Sequence, residues 1–388
     1  MKKKIAILGS TGSIGKSLFN ILKKDKNNFE IVLLTANKNL NELIKQVNFF
    51  KVKNIIISNY KTFLKAKKIL KKKDIKIFNN FDNLKVIFKN KKVDYIMSSI
   101  SGLEGLAPTT KVIKFCKTIA IANKESIICA WDLIKHELKK NKTNFVPVDS
   151  EHFSIWSLIS NKDYNNINKI HITASGGPFI NYNLNKFKRI KLKDALKHPI
   201  WSMGKKITID SSTLMNKVFE VIEAKHMFNL NYKDISILTH PKSYVHAIVK
   251  FNNGLTKILI HEPDMKIPIH NSIYLEDEKK ISSKAIDLKI LNNLEFNQIN
   301  LKKFPLVKIL NLLPEYNSLY ETALVTINDY FVSKFLLNKI NYLKMIYLIN
   351  NHIRNKSILK LREYSIRNMK DIYKIRNYVS LKLDKLGI

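Results

Sequence analysis

Two carboxylates close together in the chain are the first candidates for chemistry. Asp149 and Glu151 flank Ser150 in the stretch "VPVDSEH", although the chain has only 31 Asp and Glu against 68 Lys and Arg. Like charges at this spacing repel each other, so a positive group is expected between them. In an extended chain, residues i and i+2 point to one side, which would place both carboxylates on the same face.

Two interpretations of this acidic pair remain open from the residues alone. Hard oxygen ligands without cysteine suit Mg²⁺ or Mn²⁺, and Glu220 in "STLMNKVFE" is the candidate for a third ligand. The alternative is structural, because acids also stabilise a helix N-terminus, and a helix is expected to begin near His152.

A second group of polar residues is suited to a phosphate. Ser175 lies on a turn in "ASGG", and "DSSTLMNK" contains Ser211, Asn216 and Lys217. Hydroxyl, amide and ammonium groups together suit an anion. The pattern predicts one helix over 211–228 with Ser211 near its start, so Ser211 could instead be an ordinary N-cap.

The stretch "HPIWSMGKK" is predicted to form a loop. It contains His198, Trp201, Met203 and Gly204. A tryptophan beside glycine suggests a lid over a site. A buried tryptophan that anchors the loop is the alternative.

A glycine-rich stretch, "GSTGSIG", separates the first strand from the first helix. Gly9, Gly12 and Gly15 would let the backbone turn tightly and approach a pyrophosphate at the helix N-terminus. A structural turn without a ligand is the alternative. The second strand ends in Thr35–Asn39 without the acid that an NAD site would place there. Lys38 could bind a 2′-phosphate, which favours NADPH, although it could also be a surface lysine.

The elements around these residues indicate an α/β fold. Residues 1–149 alternate short apolar runs with helical stretches, which predicts a Rossmann-like doubly wound parallel sheet. Six strands are expected, and the runs are continuous rather than alternating, as in strands covered on both faces. The pair Asp149 and Glu151 would then lie at the carboxyl end of the last strand, where open α/β sheets bind ligands.

The pattern changes after this first domain. Residues 150–274 are predicted to form a central α+β domain with a hairpin, "YVHAIVKF" and "LTKILIH" around "NNG". Residues 275–300 have little periodicity and are predicted to be a linker. The region 301–388 is predicted to be a helical domain.

Composition excludes several classes of protein. Two cysteines, Cys116 and Cys129, are too few for a disulfide framework and fit a reducing cytosol. No stretch has the length of a signal-peptide core or a membrane span, so a cytoplasmic protein is expected. The net charge of +37 suggests nucleic-acid binding, but it is spread along the chain and includes only five arginines. Specific nucleic-acid binding is therefore not expected.

The motifs occur together in an order that resembles the 1-deoxy-D-xylulose 5-phosphate reductoisomerase family of isoprenoid biosynthesis. The resemblance is carried by "ILGSTGSIG", "ANKES", "PVDSEH", "SGGPF", "HPIWSMGKK", "DSSTLMNK" and "EPDM". It is close over roughly residues 4–270 and looser in the helical C-terminus. It implies NADPH, a divalent metal (Mg²⁺, Mn²⁺ or Co²⁺), a sugar phosphate substrate and a homodimer.

The resemblance also implies residue roles. The metal ligands would be Asp149, Glu151 and Glu220. Lys124 and Ser150 would contact substrate hydroxyls, and the phosphate end would meet Ser175, His198, Ser211, Asn216 and Lys217. The cofactor site would be lined by Thr11, Gly12, Ser13, Ile14, Asn37, Lys38, Asn39, Asn123, Glu125 and Gly204. Trp201 and Met203 would lie on the lid.

Three positions depart from the family pattern, and none of them removes a proposed ligand. Asn37 replaces a glycine, Ala174 replaces another, and the usual Asn-Glu pair of the C-terminal region is Asn328-Asp329. The remaining alternative is another NADPH-dependent oxidoreductase, such as a semialdehyde dehydrogenase. That enzyme would need a reactive cysteine thiolate, and neither cysteine has an evident histidine partner.

Overall fold

The structure is a computed structural model that describes residues 1–71, 74–159, 164–275 and 279–388. Two compact units are distinguished. The first contains Met1–Ser126, Leu133–Asp149 and Met265–Ser282, and the second contains Ile127–Asp132, Ser150–Asp264 and Ser283–Ile388.

The first unit is built on a seven-stranded, all-parallel sheet with the strand order β4-β3-β2-β1-β5-β6-β7. Its strands are β1 (Lys3–Leu8), β2 (Phe29–Ala36), β3 (Asn54–Ile57), β4 (Lys76–Phe78), β5 (Val93–Ser98), β6 (Cys116–Ile121) and β7 (Asn144–Pro147). The order reverses beside β1, so the predicted doubly wound parallel sheet is confirmed. The short strand β4 was not predicted, because three residues in a lysine-rich segment give almost no pattern.

Helices flank this sheet. They are α1 (Ser13–Lys24), α2 (Leu40–Phe50), α3 (Tyr60–Ile69), α4 (Leu84–Phe88), α5 (Leu106–Val112), α6 (Lys124–Lys140) and α11 (Lys266–Ile273). A 3₁₀ turn follows α5, and β6 begins directly after it at Cys116. The side chains from Ile5 to Leu8 in β1 are fully buried, as continuous apolar runs in a covered strand require.

The second unit contains a mixed sheet with the order β11-β10-β8-β9-β12. Its strands are β8 (Ile167–Ala174), β9 (Ile235–Thr239), β10 (Val245–Phe251), β11 (Thr256–Ile260) and β12 (Asn297–Gln298). Among the described strands of this second sheet, only the β8–β9 pair is parallel. The predicted hairpin is confirmed as β10–β11, with Gly254 at φ 86° in its turn. Strands β9 and β12 were not predicted.

The helices of the second unit include most of the C-terminal region. They are α7 (Ser150–Leu158), α8 (Leu192–Ala195), α9 (Lys205–Thr213), α10 (Met215–Phe228), α12 (Leu288–Leu291), α13 (Leu319–Leu336), α14 (Tyr342–Ile353), α15 (Lys356–Leu359) and α16 (Met369–Asp384). The helical character predicted for the C-terminal region is therefore confirmed. Among the described helices, none combines the length and apolar character needed to span a membrane. The predicted domain boundaries stay predictions.

The single helix predicted over 211–228 is wrong. Leu214 adopts a left-handed conformation with φ 59°, which ends α9 and begins α10. A non-glycine residue in this region is strained and has no reliable signature in the sequence. Ser211 consequently lies in the last turn of α9, not at the start of a helix.

Candidate active site

The glycine-rich loop brings the end of β1 to the start of α1. Gly9 has φ 78°, and a Cβ atom there would lie 2.7 Å from the carbonyl oxygen of Ser99. A Cβ atom on Gly15 would lie 2.5 Å from the carbonyl oxygen of Gly9. Both positions therefore require glycine. Gly12 is the N-cap of α1 and offers no side-chain cap, so the first backbone amides of the helix are available to an anion.

The other predicted residues of this loop and of the end of β2 lie at the surface. Gly12 and Ser13 are exposed, Thr11 and Ile14 are half-buried, and Asn37, Lys38 and Asn39 are exposed. Thr35 fixes the loop from behind, because its Oγ1 accepts from the Gly9 amide at 2.8 Å. Asn39 caps α2 by accepting from the Glu42 amide at 3.2 Å. Lys38 is thus accessible to a ligand phosphate.

Asn123 is buried and has structural contacts. As the N-cap of α6 it accepts from the Ser126 amide at 2.8 Å. Its amide nitrogen donates to the carbonyl of Ile100 at 2.7 Å and to Glu125 at 2.9 Å. Asn123 and Glu125 therefore brace the loop after β5, and their predicted contact with a cofactor stays a prediction.

The predicted carboxylate group is brought together. One oxygen from each of Asp149, Glu151 and Glu220 lies within 4.8 Å of the other two, a spacing that a divalent cation can bridge. Lys124 Nζ lies 2.6 Å from the Asp149 carboxylate. The predicted extended conformation of residues 149–151 is wrong, however. Glu151 lies in the first turn of α7 instead of an extended strand.

Lys217 supplies the positive charge expected near the acidic pair. Its ammonium contacts Glu151 and lies 2.6 Å from the Glu220 carboxylate. Asn216 donates to the other oxygen of Glu220. The sequence analysis predicted the metal ligands and the phosphate ligands as two separate groups. The structure joins them in one cluster, in which Lys217 neutralises two nearly buried acids.

His198 and Ser175, which are both predicted to bind the phosphate, are hydrogen-bonded to each other. The backbone amides of Ile200 and Trp201 donate to His198 Nδ1 at 3.2 and 2.8 Å. The proton of the neutral ring is therefore on Nε2, which donates to Ser175 Oγ at 3.1 Å. Burial and the charge of Lys217 lower the pKa of His198 to about 4. The ring is consequently neutral at physiological pH.

Ser211 is close to the turn that carries Ser175. A Cβ atom on Gly177 would lie 2.8 Å from the Ser211 carbonyl oxygen, so these two backbones are in direct contact. Ser150 Oγ donates to Glu151 at 2.6 Å. Ser150 therefore contacts the cluster of acids and lysine directly.

The loop with Trp201 leads into α9. Trp201 and Met203 are half-buried, and Gly204 is the exposed N-cap of α9. The Trp201 ring meets His246 edge-on at 6.1 Å. The tryptophan is therefore anchored yet not fully enclosed, and its place on a lid stays a prediction.

Two histidines in this region were missed by the sequence analysis. The rings of His246, on β10, and His261, directly after β11, stack with 3.8 Å between their centroids. Burial lowers the pKa of His261. Its hydrogen bond to the Glu262 carbonyl and the charge of Glu151 partly oppose this effect. Their stretches were used only as a hairpin signal. The sign available in the sequence was the presence of one histidine in each of the two runs that form the predicted hairpin.

Both cysteines lie in the interior of the protein. Cys116 and Cys129 are buried, and neither forms a disulfide. Burial raises the pKa of Cys116 to about 12, so its thiol is protonated at physiological pH. The alternative of a thiolate-dependent semialdehyde dehydrogenase is therefore not supported.

A doubly wound parallel sheet with a glycine loop, together with a cluster of acids and lysine, is typical of oxidoreductases that bind a dinucleotide. Family comparison narrows this class. Models described as 1-deoxy-D-xylulose 5-phosphate reductoisomerase, its C-terminal domain, and the DXP reductoisomerase C-terminal domain match residues 5–131, 145–228 and 260–379. The chain belongs to the 1-deoxy-D-xylulose 5-phosphate reductoisomerase family.

Individual relatives match most or all of the chain. The reductoisomerase of Pelagibacter ubique (strain HTCC1062) is 58% identical over 387 residues and is covered completely, as is this chain. That of Sulfurihydrogenibium sp. is 38% identical over 339 residues, or 87% of each chain. A solved DOX-P reductoisomerase in complex with NADPH, fosmidomycin and magnesium has a TM-score of 0.89, with 30% identity and 99% of each chain covered. The Zymomonas mobilis enzyme in complex with NADPH has a TM-score of 0.88 at 27% identity, covering 100% of this chain and 99% of that one.

Proposed function

We propose that this chain converts 1-deoxy-D-xylulose 5-phosphate to 2-C-methyl-D-erythritol 4-phosphate, using NADPH and a divalent metal, in the synthesis of isoprenoid precursors. Family membership sets the reaction. The observation that carries the proposal is the approach of Asp149, Glu151 and Glu220 to within 4.8 Å, since a reaction of this class needs a cation at the substrate.

The three carboxylates are suited to Mg²⁺, Mn²⁺ or Co²⁺ because they offer hard oxygen atoms as ligands. The ammonium group of Lys217 would compete with the ion for them. Asp149, Glu151 and Glu220 would hold the ion. When bound, the metal would polarise the substrate carbonyl and orient the carbon skeleton for rearrangement. The solved relative with magnesium supports this choice of ion.

The substrate would be held by the residues around that cluster. Lys124 and Ser150 would contact its hydroxyls. Its phosphate would be bound by Ser175, His198, Ser211, Asn216 and Lys217. The neutral His198 ring carries its proton on Nε2, so it can donate a hydrogen bond to a phosphate oxygen without first being ionised. Contacts remote from the reacting carbons supply binding energy that positions them.

The cofactor would bind with its pyrophosphate at the N-terminus of α1. Gly12 and Ser13 would contact the phosphates, with Thr11 and Ile14 beside them. Lys38, flanked by Asn37 and Asn39, would bind the 2′-phosphate. Asn123, Glu125 and Gly204 would complete the site. NADPH would deliver hydride to the aldehyde formed by rearrangement.

The proposal extends to the organisation of the protein. Residues 1–149 would bind NADPH, 150–274 would hold the metal and substrate, 275–300 would be a linker, and 301–388 would form a helical domain. Trp201 and Met203 would lie on a mobile lid. The active form would be a homodimer in the cytoplasm, and size-exclusion chromatography with light scattering would test the dimer.

The decisive experiment is to follow NADPH oxidation at 340 nm with the xylulose phosphate as substrate. Turnover is expected with Mg²⁺, Mn²⁺ or Co²⁺ and is expected to stop when EDTA is added. Restoring excess metal should restore the rate. Turnover that continues in EDTA would remove the metal from the proposal, and absence of turnover with all three metals would overturn the reaction itself.

A further inference from the structure

The corner between α9 and α10 joins two parts of the proposed phosphate site. Ser211 is in the last turn of α9, and Asn216 and Lys217 are in the first turns of α10. Leu214 alone separates the helices, in a left-handed conformation with φ 59°. Such a conformation persists only where surrounding contacts hold it. The angle of this corner decides whether Ser211 and Lys217 face the same ligand.

Tyr342 holds the corner from one side. It is fully buried at the start of α14, and its hydroxyl donates to the Ser212 carbonyl at 2.7 Å. That carbonyl is among the last of α9, which have no partner within their own helix. The Tyr342 ring also lies 5.2 Å from the ring of Phe179, in the turn that follows Ser175. One side chain therefore supports both serines of the proposed site.

Asn328 holds α9 from a second direction. Its amide donates to the buried Asp210 carboxylate at 2.8 Å. Lys206, also on α9, lies 3.0 Å from Asp210 and 2.9 Å from Asp329. The pair Asn328-Asp329 on α13 thus binds the polar side chains of α9 next to Ser211. Since Asp210 is buried, losing the Asn328 contact would leave part of its carboxylate without a donor.

We propose that Tyr342 and Asn328 are positioning residues for the substrate phosphate, acting through the α9–α10 corner. The C-terminal helices would then do more than stabilise the chain, because they set the distance between Ser211 and Lys217. This inference rests on the proposed function, and it assigns a task in that function to residues that touch neither substrate nor cofactor.

The test compares Tyr342→Phe and Asn328→Ala with the wild type. Tyr342→Phe keeps the ring and removes one hydrogen bond, so KM for the xylulose phosphate should rise about three- to tenfold. The value of kcat should be unchanged, as should the Kd for NADPH. Calorimetric binding of the phosphonate fosmidomycin should weaken by a similar factor. Tyr347→Phe is the matched control, since Tyr347 is 66% exposed on the same helix.

Wild-type turnover separates the two proposals. If the wild type does not act on the xylulose phosphate, the proposed function fails. If it does, and Tyr342→Phe leaves KM and fosmidomycin affinity unchanged, the positioning role fails. A fall in kcat alone, in proportion to the loss of folded protein, would equally overturn it as a structural effect. Should Tyr342→Phe unfold, the same criteria apply to Asn328→Ala.

Discussion

Lys217 and Glu220 lie one turn apart on α10, with the ammonium 2.6 Å from the carboxylate, and the same ammonium contacts Glu151. A divalent cation bound by these acids would compete with Lys217 for their charge. The lysine would then be available for the substrate phosphate. Two opposite effects of removing Lys217 can therefore be predicted.

Lys217→Met should bind Mn²⁺ more tightly than the wild type, by roughly tenfold, which corresponds to about 1.4 kcal/mol. The kcat/KM for the xylulose phosphate should fall by ten- to more than a hundredfold, because a charge-assisted hydrogen bond contributes about 1.5–3 kcal/mol. Mn²⁺ affinity is measured by electron paramagnetic resonance. Lys233→Met, an exposed lysine after α10, is the control. Unchanged Mn²⁺ affinity would contradict the competition.

Glu151→Gln should abolish turnover and leave NADPH binding intact. The amide keeps the size of the side chain but removes a charge that the metal needs, so kcat should fall at least about a hundredfold. Fluorescence titration with NADPH gives the second readout, and Glu30→Gln, an exposed position on β2, is the control. Activity at the wild-type level would show that Glu151 is not a metal ligand.

Lys38→Glu should weaken discrimination between the two nicotinamide cofactors. The wild type is expected to prefer NADPH over NADH by at least about tenfold in kcat/KM, or about 1.4 kcal/mol. The substitution should lower kcat/KM with NADPH and leave the value with NADH little changed, since NADH has no 2′-phosphate. Lys45→Glu, exposed on α2, controls for net charge. Equal kcat/KM of the wild type with NADPH and NADH would contradict the predicted preference. Asn37, which replaces a glycine of the family pattern, would then be the candidate cause.

Glu321 should make the stability of the protein fall as the pH rises. Its carboxyl is fully buried at the start of α13, where it accepts from the Ser318 amide at 3.1 Å. Burial raises its pKa from 4.5 to about 8. The folded protein therefore holds this proton more tightly than the unfolded chain, and the resulting stability is lost as the pH rises through about 8.

A neighbouring histidine sets the lower limit of the pH range in which the effect of Glu321 on stability can be measured separately. His226 lies 4.0 Å from Glu321, and burial lowers its pKa from 6.5 to about 3. Its effect on stability has the opposite sign and acts below pH 6.5. Between pH 6.5 and about pH 8, the free energy of unfolding should fall by up to about 1.4 kcal/mol per pH unit. Urea unfolding measures this slope, which Glu321→Gln should flatten and Glu363→Gln, at an exposed site, should not. An unchanged slope in Glu321→Gln would assign the titration elsewhere.

The sequence by itself determined the features that depend on short stretches of chain. Continuous apolar runs such as Ile5–Leu8 specify a covered parallel strand, because both faces of the strand must be buried. Gly9 and Gly15 specify the first turn, because a side chain at either position would collide with the backbone. The order of the motifs was sufficient to identify the family and to select Asp149, Glu151 and Glu220 as a group.

Only the tertiary structure decided how residues far apart in the chain meet. Lys217 and Glu151 are 66 positions apart, and no local pattern indicates that the lysine lies between two acids. The stacking of His246 on His261 depends on strand register, which periodicity alone did not specify. The break at Leu214 is a left-handed residue that the propensity of a helical stretch conceals, and contacts such as Tyr342 with Ser212 hold it in place. Local propensity favoured one continuous helix there, and packing divided it in two, because contacts between distant segments outweigh the preference of a single residue.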